Sequence, residues 1–405
     1  MKVTDYESIV GKDIIYELGL ISKKLKKKKV QCINSTKLGG GVAEILSRII
    51  PLLNDLGINA TWDVIEADPD YFTVTKAFHN ALHGKSGNIT QGMFDKFLSA
   101  GEGILRNTKI YGDIVFIHDP QPIVLIDKKK DANKWIWRCH VDVSNPYMEV
   151  WEFLKRFIER YDISVFSSPN FARQLEIPQF LVTPSIDPFS EKNRELAQEE
   201  IDSVLEKYGI AKDKPIITQV SRFDYLKDPV GVIEAYRLVK KYVDCQLILA
   251  GNRAADDPEM DLVLNDIREK KGNDPDIHVL VIEPEKNDLN VNAIQRASDV
   301  IIQKSIREGF AITVTEALWK EKPVVASAVG GIPQQIRHRH SGLLCHTVGG
   351  AALMIRELLN NPEYAKRLGK NGKEHIRRNF LSIRHLRDYL LLFLYLYNPE
   401  DIIYL

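Results

Sequence analysis

Cysteine is scarce in this chain. The four present, Cys32, Cys139, Cys245 and Cys345, lie far apart and form no CxxC pair, so neither a disulfide framework nor a redox motif is indicated. A reducing cytoplasm suits them, each as a small buried apolar residue. An excess of one charge is also missing. Lys and Arg total 55, as do Asp and Glu, so no global field draws the chain to nucleic acid or anionic lipid. The start, Met1-Lys2-Val3-Thr4-Asp5, lacks the apolar core of a signal peptide. The longest apolar run, 389–397, is too short to span a bilayer. A convincing metal-ligand set is lacking as well. Asp68-Pro69-Asp70 and Asp274-Pro275-Asp276 have the letters of a metal-binding DxD pattern, but a capping Asp followed by proline explains them more simply. His338 and His340 sit among arginines, where like charge disfavours a divalent ion. The expectation is a cytoplasmic protein with no nucleic-acid partner, no membrane attachment and no bound metal.

What is present is a long alternation of strand and helix patterns. The 405 residues are 44% hydrophobic and 27% charged, enough for two or three domains. Strands are expected at 30–34, 60–65, 113–117, 135–140 and 163–167, with helical patterns between most of them. Six lysines between Lys23 and Lys29 precede the first strand. Without interleaved aromatics they read as a solvated helix end. Ser35 to Gly41 is a glycine-rich turn, and 42–56 has helical spacing, which opens a Rossmann-like unit. The dinucleotide fingerprint G-x-G-x-x-G is absent. After Pro184 and Pro188 a charged stretch marks a junction, and the rhythm restarts. Strands at 215–220, 245–250, 277–281, 300–303 and 323–326 alternate with helices near 229–243, 257–271, 289–297 and 313–320. The expected fold is α/β, two doubly wound Rossmann-like domains of similar size, 1–187 and 188–379. Ligands in such sheets bind at the carboxyl ends of strands, so a deep cleft between the domains is the expected site.

Four stretches can carry chemistry. In Glu308-Gly309-Phe310-Ala311-Ile312-Thr313-Val314-Thr315-Glu316, Glu308 follows a strand end and Gly309 lets the backbone turn sharply. Thr313 is placed to cap the next helix with Glu316 as its capping-box partner. Free N–H groups and a positive helix end then face a site where a diphosphate can dock. The flanking carboxylates suit sugar hydroxyls instead. A capping box without any ligand fits the same letters. In Ser221-Arg222-Phe223-Asp224-Tyr225-Leu226-Lys227, two cations after a strand can oppose a diphosphate, or form an ordinary surface cluster. In Trp137-Arg138-Cys139-His140-Val141-Asp142, His140 stands at a strand end and Asp142 can fix its tautomer or bind a hydroxyl. A structural histidine is the alternative. Gly39-Gly40-Gly41 allows close backbone approach to a ligand, or serves as a tight turn.

The paired glutamates, with an arginine and a lysine five residues apart, resemble the retaining glycosyltransferases of GT-B architecture. Longer words narrow this. Asn34-Ser35-Thr36 with the glycine turn, Ile117-His118-Asp119-Pro120-Gln121-Pro122, Trp137 to Asp142, and Gln303-Lys304-Ser305-Ile306-Arg307-Glu308-Gly309-Phe310 are similar to the trehalose glycosyltransferring synthases over about residues 10–395. That resemblance implies retaining transfer of glucose from a nucleoside-diphosphate glucose, UDP- or ADP-glucose, to free glucose, reversibly giving trehalose. No cofactor is tightly bound; stimulation by free Mg2+ and a homodimer are compatible. It assigns Arg222, Lys227, Glu308 and His140 to catalysis. Gly40, Gly41, Asp119, Gln121, Asp142, Gly309, Phe310, Ala311, Ile312 and Glu316 are assigned to substrate, with Glu308 on glucose and Glu316 on ribose. By analogy a terminal helix, about 380–399, returns to the first domain. Three departures stand out: Ala311 where glycine is usual, Asn252-Arg253 after Gly251, and Gln334 where an acid is frequent. Trehalose phosphorylase, trehalose-6-phosphate synthase and a non-catalytic sugar-nucleotide-binding regulator are the rivals.

Overall fold

The computed structural model describes residues 1–37, 40–84, 87–252, 259–283 and 287–400. Contacts divide the chain into two compact units. One comprises Met1–Ser185 and the chain from Ser382 onward, the other Ile186–Leu381.

The first unit holds a parallel sheet of β1 (Lys29–Asn34), β2 (Asn59–Val64), β3 (Ile114–His118), β4 (Lys134–Arg138), β5 (Ile163–Phe166) and β6 (Gln179–Leu181), in the order β2-β1-β3-β4-β5-β6. Every residue of β3 is buried, as expected of a central strand covered on both faces. On one face Val115, Ile117, Trp135 and Trp137 pack with Phe78, Phe94 and Phe97. The helix Ser382–Tyr395 belongs to this unit by contact. Its Tyr389 and His385 hydrogen bond to the fully buried Arg138 guanidinium, which also donates to the Val182 carbonyl at 2.9 Å.

The second unit repeats the architecture with β7 (Ile216–Val220), β8 (Gln246–Asn252), β9 (Ile277–Ile282), β10 (Val300–Gln303), β11 (Val324–Ser327) and β12 (Leu343–Cys345). The order β12-β11-β10-β7-β8-β9 is all parallel. The chain therefore reverses its direction of progress across the sheet between β7 and β10. That is a topological switch point, where the loops after the two strands part and leave a crevice.

Each strand expected from the sequence is present. The edge strands β6 and β12 are additional, at three residues each. Several boundaries shifted by a few residues. The strand expected to reach His140 ends at Arg138, which leaves the histidine on the following loop. The helix expected near 257–271 is described over Glu259–Lys271; residues 257 and 258, like Arg253, lie outside the described residues. All four cysteines are free and buried. The lysine cluster is largely solvated around the end of the helix Lys12–Leu25. No helix among the described residues is long and apolar enough to cross a membrane.

Candidate active site

In the second unit, the loops after β7 and β10 are joined at the switch point. Ile306 N–H donates to the Leu226 carbonyl at 2.8 Å, and Lys304 pairs with Asp228. Asp228 takes a left-handed conformation (φ 50°) to cap the helix Pro229–Lys240, accepting from Gly231 N–H at 3.0 Å. This positions Lys227, whose carbonyl is held by the Gln219 amide at 2.8 Å. Lys227 Nζ lies 2.6 Å from Glu308 Oε1, and Ser305 Oγ donates to Glu308 Oε2 at 3.0 Å. Both side chains of the pair are largely buried, 14% and 8% exposed. Arg222 is different. Its side chain is 58% exposed and touches Asp224 loosely at 3.4 Å.

The segment after Glu308 departs from expectation. Thr313 does not cap the helix. Ala311 occupies the N-cap position, with φ 65° and ψ 65° and no side-chain cap, so the helix runs Ile312–Trp319 and Thr313 lies inside its first turn. The left-handed turn is thus taken by Ala311 rather than Gly309, at a penalty of roughly 1–2 kcal/mol for a residue with a Cβ. Two contacts hold it. Gly331 N–H donates to the Gly309 carbonyl at 2.7 Å. The buried Gln335 side chain donates to the Phe310 carbonyl and accepts from Thr315 Oγ1 at 2.7 Å. Gly330 is required here: its φ is 57°, and a Cβ would stand 1.9 Å from the Glu308 carbonyl oxygen. Phe310 packs on Phe380, ring centroids 5.7 Å apart.

Glu316 is likewise no capping-box partner. With the helix beginning at Ile312, it falls in the second turn and is 1% exposed. Lys192 Nζ lies 3.7 Å from its carboxylate. Lys320, one turn on, donates to the Glu316 carbonyl, to Asn193 Oδ1 and to Gln295 Oε1. Burial pulls the Lys320 ammonium down to about 7, against the opposing charge of Glu316.

In the first unit, three loops follow neighbouring strands at another switch point, between β1 and β3. After β1, Gly40 and Gly41 open the helix Gly40–Asp55, while Gly39 lies outside the described residues. Gly41 is exposed, and a Cβ there would meet nothing. After β3, Asp119 has φ 64° and accepts from His140 N–H at 2.8 Å. Burial lifts its carboxyl to about 6, against the pull of that N–H and of Arg138. Gln121 Oε1 is buried with no hydrogen-bond partner among the described residues, while its carbonyl accepts from Tyr71 at 2.6 Å. After β4, His140 Nε2 sits 3.1 Å from His118 Nδ1. Asp142, the candidate to fix the tautomer or bind a hydroxyl, accepts from Ser144 N–H at 2.9 Å.

The DxD letters have structural uses. Asp68 caps the helix Pro69–Leu82 through Tyr71 N–H, and Asp274 accepts from Asp276 N–H. No group of three or more His, Cys, Asp or Glu among the described residues could hold a metal ion. Sequence reasoning missed His118, Ser305, Gln335, Lys192 and Lys320. The first three lie in or beside motif words, but partner identity is not encoded locally.

Two parallel, doubly wound sheets, each with polar side chains gathered at a switch point, are two Rossmann-like units, and the family matches make the class a glycosyltransferase of GT-B type. Residues 200–375 match the family "Glycosyl transferases group 1" and residues 32–173 match "Trehalose synthase, N-terminal domain". A UDP-forming α,α-trehalose-phosphate synthase from Burkholderia xenovorans shares the fold at TM-score 0.71 and 16% identity, over 93% of this chain and all of that one. The trehalose synthase of Pyrococcus horikoshii is 45% identical over 96% of this chain and 95% of its own length. That of Rubrobacter xylanophilus is 41% identical over 96% of each. The chain belongs to the trehalose synthase family.

Proposed function

We propose that this protein is a retaining glycosyltransferase that moves glucose from a nucleoside-diphosphate glucose, UDP- or ADP-glucose, to free glucose and so makes trehalose reversibly. The observation that supports this most is the Lys227–Glu308 pair at the switch point of the second sheet, beside the exposed Arg222 and the start of the helix Ile312–Trp319. A diphosphate there meets two cations and the N–H groups following Gly309, Phe310 and Ala311, a set that stabilises a departing anion. Glu308 takes the glucose hydroxyls and Glu316 the ribose. The acceptor hydroxyl forms its bond to the anomeric carbon on the face the diphosphate leaves. The C–O electron pair goes to the phosphate, which also takes the hydroxyl proton. Glu308 then needs no role as a base. His140, Asp142, Asp119, Gln121, Gly40 and Gly41 hold the transferred glucose or the acceptor.

The test is turnover. UDP- or ADP-glucose with glucose should release nucleoside diphosphate and trehalose in equal amounts. Parallel reactions with and without free Mg2+ read whether the ion stimulates, and sedimentation reads whether the chain forms a homodimer. Three outcomes overturn the reading. Turnover only with glucose 1-phosphate, releasing inorganic phosphate, means a phosphorylase. An absolute need for glucose 6-phosphate means trehalose-6-phosphate synthesis. Nucleotide-sugar binding without turnover means a regulator.

A further inference from the structure

His118 closes β3, and His140 stands two residues beyond β4. Their rings stack with centroids 5.4 Å apart and planes 23° from parallel, and His118 Nδ1 lies 3.1 Å from His140 Nε2. One of these two nitrogens carries the proton between them. Phe116 covers His118 at 4.5 Å, and His118 Nε2 is buried with no hydrogen-bond partner among the described residues.

That buried nitrogen decides the direction. If His118 Nδ1 accepted, the ring's own proton would sit on Nε2, as a buried N–H with nothing to bond. If Nδ1 donates, Nε2 holds only a lone pair. An unsatisfied acceptor is tolerated more readily than an orphaned N–H. Both rings are held neutral: burial, and then the Arg138 guanidinium, keep each well below the usual histidine range. A state with both rings fully protonated is therefore not the resting one.

We propose that His118 is a positioning residue that donates from Nδ1 to His140 Nε2 and so locks His140 as the Nδ1–H tautomer. His140 then offers its ligand a hydrogen-bond donor, neither an acceptor nor a base. A neutral donor suits a sugar oxygen with lone pairs to give. This use of the tautomer rests on the proposed contact between His140 and sugar. The tautomer itself does not.

Full-length protein labelled with 15N-histidine gives the test, through long-range 1H–15N correlation near neutral pH, with His140 assigned from His140→Gln. Wild type should show His140 protonated at Nδ1 and bare at Nε2. His118→Asn, whose amide N–H falls near the place of the imidazole Nδ1–H, should keep that pattern. It should also transfer glucose within about threefold of wild type, while His118→Leu loses about ten- to a hundredfold with nucleotide affinity unchanged. A wild-type His140 protonated at Nε2 overturns the proposal, as does a His118→Leu variant that retains the Nδ1–H pattern and full transfer. If the tautomer is as stated but His140→Ala transfers normally, the sugar contact fails and the tautomer assignment survives. If His140→Ala is impaired but the tautomer is reversed, the contact survives and the assignment fails.

Discussion

Replacing Lys227 by Met removes one partner of a pair 2.6 Å apart whose side chains are 14% and 8% exposed. At an effective dielectric of about 20, two unit charges at that distance attract by roughly 6 kcal/mol, most of it offset by the desolvation of both groups. The substitution leaves the Glu308 carboxylate buried with its Ser305 hydrogen bond and without its counter-charge. Breaking a buried pair in this way costs about 3–5 kcal/mol. For a unit of roughly two hundred residues, that lowers the midpoint of its unfolding by roughly 6–20 °C. The double variant Lys227→Met/Glu308→Gln removes both charges and should recover most of the loss, because the net worth of a buried pair is small. Calorimetry on wild type, both single variants and the double variant closes the cycle. If each single variant stays within about 0.5 kcal/mol of wild type and the double variant is additive, the pair is not a buried interaction and the reasoning is wrong. On the functional side, Lys227→Met should lower turnover about a hundredfold or more by removing a donor to the developing anion.

Arg222→Ala should lower turnover by about two orders of magnitude, yet shift stability by no more than about 0.5 kcal/mol, since the side chain is 58% exposed and loosely held. A variant with normal turnover removes Arg222 from the site. Glu316→Gln should raise the KM for the nucleotide sugar about tenfold while free glucose binding stays intact; loss of glucose binding instead shows that the ribose assignment is wrong. Lys320 sets a pH dependence. Burial lowers its folded-state pKa to about 7 from the ordinary lysine value of 10.5, so the unfolded chain binds more protons between those values and stability rises with pH across that window. Lys320→Met should lose this rise. Denaturant titrations of both proteins at about pH 6.5, 8 and 9.5 read it, and a pH-independent difference between them refutes the assignment.

The alternation of apolar runs with helical patterns was sufficient, from sequence alone, for two parallel doubly wound sheets. The strand Ile114–His118 is buried throughout and its apolar run announces that burial locally, whereas Ile216–Val220 is equally buried with Thr218 and Gln219 inside it. The three-residue edge strands β6 and β12 were not legible, because so few residues carry no period and form only by pairing with a neighbour already in place. The loop from Glu308 to Glu316 shows where local reading fails. Thr313 and Glu316 have capping-box spacing, yet Gly331 and Gln335 hold the carbonyls of Gly309 and Phe310. Those distant contacts place the left-handed turn at Ala311 and carry Glu316 inside. The residue types of the candidate site could be read in order along the chain. Their pairings could not: Lys227 meets Glu308 across 81 residues, and His140 meets His118 rather than the nearby Asp142. Hydrogen bonds and ion pairs act over a few ångströms of space, and only the parallel sheets bring the ends of separate strands that close.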